Sequence, residues 1–148
     1  MSTPETNPRL QFFRSMIGQA MSQSPSPLGR WLNGTLLAAE EGSLTVEYEV
    51  REDMTNPMRI LHGGAASAII DELIGATVYA LGREHLYTSV NLNVDFLHSA
   101  RLGETVTART QVVRAGKNIV HAECQITAAD GKIIAKASSN LIQTSVKH

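Results

Sequence analysis

Residues 56–81 read NPMRILHGGAASAIIDELIGATVYAL, and this stretch decides how the rest of the chain is interpreted. Asn56-Pro57 and the run His62-Gly63-Gly64 open it as a turn, and an apolar, alanine-rich helix follows. Ala65, Ala66, Ile69, Ile70, Leu73 and Ile74 cover so much of its circumference that the helix is predicted to be surrounded by protein. Ser67, Asp71 and Gly75 fall at four-residue steps and form one narrow, small-or-polar stripe. Asp71 and Glu72 put carboxylates in mid-helix, where leaving water without a partner is costly or shifts the pKa. Two turns back, the helix start offers unpaired N–H groups and the positive end of the helix dipole. An acid beside an anion-stabilising turn is what acyl-transfer chemistry needs.

Working outward, residues 1–7 are polar and predicted to fray. Leu10, Phe13, Ile17 and Ala20 suit a short amphipathic helix over residues 9–21, which the SQSPSPLG segment ends as a loop. Residues 31–39 and 43–51 read as strands joined at Glu41-Gly42. Downstream, residues 86–97 alternate, with Leu86, Val90, Leu92, Val94 and Phe96 on one face. Ser89, Asn91, Asn93 and Asp95 take the other, and Thr88 falls on the apolar side. Strands over 104–114, 117–128 and 132–143 follow, divided at Ala115-Gly116 and at the strong hairpin signal Asp130-Gly131. The pattern predicts an α+β fold of long antiparallel strands about one apolar helix. Residues 1–148 are expected to be a single domain, with 1–29 as an N-terminal extension and helix.

Composition removes several function classes. With 18% charged residues and a formal net charge of −1, no basic stripe with interleaved aromatics marks a nucleic-acid binder. No apolar run approaches the roughly 20 residues that span a bilayer, and the start lacks a signal-peptide pattern. The expectation is a soluble, cytoplasmic protein with no membrane or nucleic-acid partner. The lone Cys124 excludes an internal disulfide and any multi-cysteine metal site, and is expected to be a buried structural thiol. The histidines show no metal-ligand spacing, so no metal is expected.

The spacing Asn56…His62-Gly63-Gly64…Asp71, the strand Tyr87-Thr88-Ser89-Val90-Asn91 and the hairpin Arg114-Ala115-Gly116-Lys117 resemble the PaaI-like (4-hydroxybenzoyl-CoA thioesterase-like) hotdog acyl-CoA thioesterases. The resemblance covers residues 36–144 and implies a hotdog fold: a curved antiparallel sheet of five to six strands around the central helix. It also implies a homodimer with a continuous sheet, or a dimer of dimers, with sites at the subunit interface. The substrate implied is an acyl-CoA, and no cofactor is implied, coenzyme A being part of the substrate. Carried over by position, Gly63 would donate its N–H to the thioester carbonyl, with Gly64 beside the substrate and Asn56 assisting. Asp71 would act as general base or nucleophile on substrate held by the partner's Gly63. Ser89 would help hold the attacking water, and His62 would position the loop or the departing sulfur. Arg114, Lys117 and Asn118 would hold the phosphates of coenzyme A.

Each of these residues also has a plainer reading. The glycines give an entry turn its backbone freedom, and Asn56 before proline begins a turn. Asp71 pairs structurally across a dimer contact, and exposed turn charges such as Arg114 and Lys117 are ordinarily just solvated. For Glu72 a salt bridge with a basic neighbour is expected. Two rival functions also stand beside the hydrolase: a non-catalytic acyl-CoA binding module, and a hotdog hydratase or dehydratase with His62 and Asp71 as its pair.

Overall fold

The computed structural model describes residues 6–148. Its N-terminal part hangs on Asn7, which is 1% exposed. The Asn7 side-chain oxygen accepts from the Leu10 N–H at 3.3 Å and caps α1 (Pro8–Ser15), while its Nδ2 donates to the Ala80 carbonyl at 2.8 Å. Fraying was expected through residue 7, so Asn7 is a correction; residues 1–5 lie outside the described residues. Arg9 adds a bond to the Tyr79 carbonyl at 3.1 Å and lies 4.4 Å from the centre of that ring.

The helix expected over 9–21 ends at Ser15. The SQSPSPLG segment, expected to be loop, instead starts a second helix, α2 (Pro27–Leu32). Its signals are local: Ser26 accepts from the Gly29 N–H at 3.2 Å, and Pro27 occupies the first turn, where its missing N–H costs nothing. Trp31 and Leu32 therefore belong to a helix, and β1 begins only at Thr35 (Thr35–Glu40).

Then come β2 (Ser43–Glu49), a 3₁₀ turn at Glu52–Met54, the long helix α3 (Gly63–Tyr79), β3 (His85–Phe96), β4 (Thr105–Ala115), β5 (Ile119–Ala128) and β6 (Ile133–Lys147). All neighbours pair antiparallel in one sheet of order β1-β2-β4-β5-β6-β3. This is the hotdog arrangement, a curved sheet around a central helix. The concave face of the sheet offers Val106 and Ala108 of β4 and Val120, Ala122 and Ile126 of β5, all fully buried. The small Ala108 and Ala122 among them leave room for Ile69, Ile70 and Ile74 of α3 to be fully buried against the sheet.

One polar thread crosses this apolar contact. The Leu44 N–H donates to Thr110 Oγ1 at 2.9 Å, and Thr110 and Thr77 hydroxyls meet at 2.6 Å. Thr77 then donates to the Leu73 carbonyl at 2.7 Å. Donation running from Leu44 through Thr110 and Thr77 to Leu73 satisfies every member, and no buried side-chain polar atom among the described residues lacks a partner.

The two edges of the sheet differ. Residues 18–21 lie along β1: Gly18 N–H donates to the Leu36 carbonyl at 2.7 Å and Met21 N–H to the Gly34 carbonyl at 2.8 Å. Nothing among the described residues covers the outer edge of β3, where Val90 and Phe96 are each 58% exposed. No helix of the described residues is long and apolar enough to cross a membrane.

Thr110→Val keeps the volume but removes an acceptor and a donor from the buried thread. It should lower unfolding stability by about 1–3 kcal/mol; urea denaturation measures this, and an unchanged midpoint would show the thread to be dispensable. Cys124 is buried, and its thiol is pushed up to about 12 by that burial, against a backbone hydrogen bond at Arg109 that lowers it. A thiol-specific disulfide reagent should find nothing in the native chain and titrate Cys124 only after unfolding.

Candidate active site

At the start of α3, His62 adopts the extended conformation of a capping residue, and its ring Nδ1 accepts from the Gly64 N–H at 2.8 Å. The ring proton is thereby assigned to Nε2. The Ala66 N–H is taken by the His62 carbonyl. The Gly63 N–H has no acceptor in the chain among the described residues. A Cβ on Gly63 would stand 3.4 Å from the Phe96 ring, so folding alone does not demand glycine there. A bare backbone does leave its N–H open to close approach.

Asn56 organises the loop before it. Its side-chain oxygen accepts from the Met58 N–H at 2.9 Å, and its backbone N–H donates to the Ile60 carbonyl at 3.0 Å. The turn-forming reading of Asn56 is thus realised, and its Nδ2 remains unspent among the described residues. Asn56 and Gly63 line the same cleft of about 290 Å³, together with Phe96 and Leu97.

Asp71 lies on the stripe with Ser67 and Gly75. The expectation that α3 is surrounded needs correction, because this stripe is open in the single chain and Asp71 is exposed. Ser89 Oγ donates to Asp71 Oδ1 at 3.0 Å. The alternation read from the sequence put Ser89 on the outer face with Asn91 and Asn93. A β-bulge overturns that: Ser89 pairs with Leu141 and Asn91 with Asn140, so Val90 is the extra residue. The phase flips there, and Ser89 shares the helix-facing side with Leu92 and Val94.

Asp71 and Ser89 line a second, larger cavity of about 760 Å³, apart from the Gly63 cleft. Its walls include Phe12 and Phe13 of α1, Met16 just beyond it, and Tyr79 and Tyr87. Gly63 and Asp71 are eight residues apart on α3, about 12 Å at 1.5 Å per residue. Within one chain the donor turn and the acid therefore do not converge on a single atom.

Glu72 also departs from expectation. No basic group of the described residues forms an ion pair with it. Half-buried, it faces α2 and β2, and its Oε1 would lie 2.8 Å from a Cβ on Gly29. Glycine at 29 is what gives that carboxylate its room. Tyr48 is 5% exposed and lines the same cavity; burial first, then the nearby Cys124 and Glu72, push its phenol above the ordinary value.

Arg114, Lys117 and Asn118 are exposed at the β4–β5 hairpin. The hairpin is fixed from beneath by Arg83, whose guanidinium donates to the Ala115 carbonyl at 2.9 Å, the Gly116 carbonyl at 2.5 Å and the Tyr87 hydroxyl at 2.8 Å. Tyr87 donates onward to the Lys117 carbonyl at 2.6 Å. Sequence reasoning missed this clamp, since an arginine two residues before a strand carries no signal of its own. No group of three or more His, Cys, Asp or Glu among the described residues is placed to hold a metal ion.

The profile of the Thioesterase superfamily matches residues 58–135, more than half of the chain. The chain belongs to that superfamily. As a member it is a thioester hydrolase, and the match takes in Gly63, Asp71, Ser89 and the β4–β5 hairpin while leaving out α1 and α2. It is 30% identical to human acyl-coenzyme A thioesterase 13 over 103 residues, 69% of this chain and 74% of the relative. Zebrafish thioesterase superfamily member 2 superposes with a TM-score of 0.75 at 25% identity, covering 97% of this chain and 99% of that one. The E. coli PaaI protein from the phenylacetic acid degradation operon shares the fold, with a TM-score of 0.81 at 18% identity over 95% and 97% of the two chains.

The cap at the head of this superfamily helix can be tested directly. His62→Ala should cost about 1 kcal/mol of stability, and His62→Asn, which can accept from the same N–H, should recover most of it. Equal losses in urea titrations would show that the ring stabilises the turn by packing rather than by capping.

Proposed function

We propose that the chain hydrolyses acyl-CoA thioesters, with Asp71 as general base and the Gly63 N–H of a partner copy as oxyanion donor. The observation that carries this is the separation just described: acid and donor occupy different cavities of one chain, while the β3 edge between them is unpaired. Ser89 beside the acid and Phe96 beside the donor turn lie about 20 Å apart along β3, the six steps between their partners Leu141 and Ala135 at ~3.3 Å per residue. A second copy pairing antiparallel through β3 reverses that order and carries its Gly63 turn toward Asp71. Such a two-fold seam is isologous and forms two equal sites. An open edge with exposed Val90 and Phe96 is a surface that proteins ordinarily cover.

Ser89 orients the carboxylate through Oδ1 and leaves Oδ2 for water. As the water oxygen bonds to the thioester carbon, its proton passes to Asp71. The carbonyl electrons move onto oxygen, which Gly63 N–H and Asn56 Nδ2 stabilise. Collapse breaks the C–S bond, and the departing thiolate recovers the proton from Asp71, giving free acid and thiol. Arg114, Lys117 and Asn118 supply donors suited to the phosphates of coenzyme A. The curated relative named above is itself an acyl-coenzyme A thioesterase, which favours this substrate class. The reaction as written draws on no cofactor.

Complementation tests both parts. Asp71→Asn should lower kcat/KM by about 10²–10⁴. Gly63→Pro deletes the N–H at the first helical position, which tolerates proline, behind a His62 already extended at ψ 137°. Mixed and re-equilibrated in equal amounts, the two inactive proteins should recover about a quarter of wild-type activity, since half the dimers are mixed and half their sites intact. No recovery from dimers shown to be mixed would place acid and donor in one chain. Undiminished turnover by Asp71→Asn would move the base elsewhere.

A further inference from the structure

Arg83 is half-buried where the end of α3, the start of β3 and the β4–β5 hairpin meet. It follows Gly82, at which the chain leaves the helix: the Gly82 N–H donates to the Tyr79 carbonyl at 3.2 Å, and its φ of 78° suits glycine. The guanidinium is thereby delivered beneath the hairpin, where it takes the Ala115 and Gly116 carbonyls and the Tyr87 hydroxyl. Tyr87 passes its own proton to the Lys117 carbonyl, and it also lines the cavity that holds Asp71 and Ser89.

Three successive carbonyls, of residues 115–117, are thus turned toward two side chains. No peptide among the described residues is cis, and a trans peptide points its N–H opposite its carbonyl. The N–H groups of Gly116, Lys117 and Asn118 accordingly face away from the clamp, and none has an acceptor among the described residues. A Cβ on Gly116 would meet the Ile119 carbonyl at 2.7 Å, so the tight turn admits only glycine there. A surface hairpin tip left to itself samples several conformations, and a ligand that needs one of them loses affinity to the ordering.

We propose that Arg83, with Tyr87, is a positioning residue for the nucleotide end of the substrate. The pair sets the hairpin in advance in the shape that receives phosphate, and Arg83 contacts neither the acyl group nor the reacting atoms. The inference rests on the phosphate-binding role given above to Arg114, Lys117 and Asn118. Its consequence is selective: the clamp matters only for a thioester that carries the nucleotide.

Octanoyl-CoA and octanoyl-pantetheine, which lacks the nucleotide, separate this role from a general structural one. Arg83→Ala should raise KM for octanoyl-CoA by about tenfold, while its kcat and both constants for octanoyl-pantetheine stay within about twofold. Arg83→Lys keeps one charged donor and should recover part of the loss; Tyr87→Phe should raise the same KM by a smaller factor. These two milder variants carry the comparison where Arg83→Ala destabilises the fold. A KM rise of equal size on both substrates would overturn the assignment, as would no rise on either. So would a fall in kcat on both, which would make Arg83 a support of the acid's cavity. Calorimetry with coenzyme A and with pantetheine reads the same contrast without turnover. There, Arg114→Ala and Lys117→Ala test the reading beneath. If neither weakens coenzyme A, the hairpin holds no phosphate and the proposal falls with it. If both do and Arg83→Ala does not, only the clamp falls.

Discussion

One sheet cannot enclose a helix. The concave face formed by β2, β4, β5 and β6 covers the side of α3 that carries Ala66, Ile69, Ile70, Leu73, Ile74, Thr77 and Val78. What remains is the stripe of Ser67, Asp71 and Gly75, with Glu72 and Ala76 beside it. Small residues along the stripe leave a channel, and the carboxylate among them keeps it reactive. The fold thus presents its acid at the one place where its own packing runs out.

The remaining parts are arranged along that uncovered strip. The glycine turn stands at its head, fastened by the His62 ring. The α1 helix, hung from Ala80 by Asn7, forms one wall of the large cavity. The bulge at Val90 supplies the other wall by turning Ser89 inward. The thread through Thr110 and Thr77 ties the helix that carries the acid to β4 and through it to β2.

Much of this was legible from residue order. The apolar helix, its stripe and the antiparallel strands after it follow from periodicities of 3.6 and 2, and the hairpin at Asp130-Gly131 from turn chemistry. Alternation fails where tertiary structure inserts a residue: nothing in YTSVNLN distinguishes Val90 as the one left unpaired. Ser-Pro-Ser-Pro reads as a breaker, yet the same residues are a serine cap and a first-turn proline. Asn7 looked like tail because its partner, Ala80, is 73 positions away. The basic neighbour expected for Glu72 is not met among the described residues, because ion-pair partners depend on which elements meet.

The guarded margin along β1 has a bearing on assembly. Residues 18–21 already occupy the groups of Gly34 and Leu36 at the start of β1, and Arg14 takes the Ala39 carbonyl, so a sheet joined to a copy through β3 would end on both flanks in a partly guarded border. Growth by strand addition is thereby discouraged, and with it the ribbon-like polymers that an open-ended sheet invites.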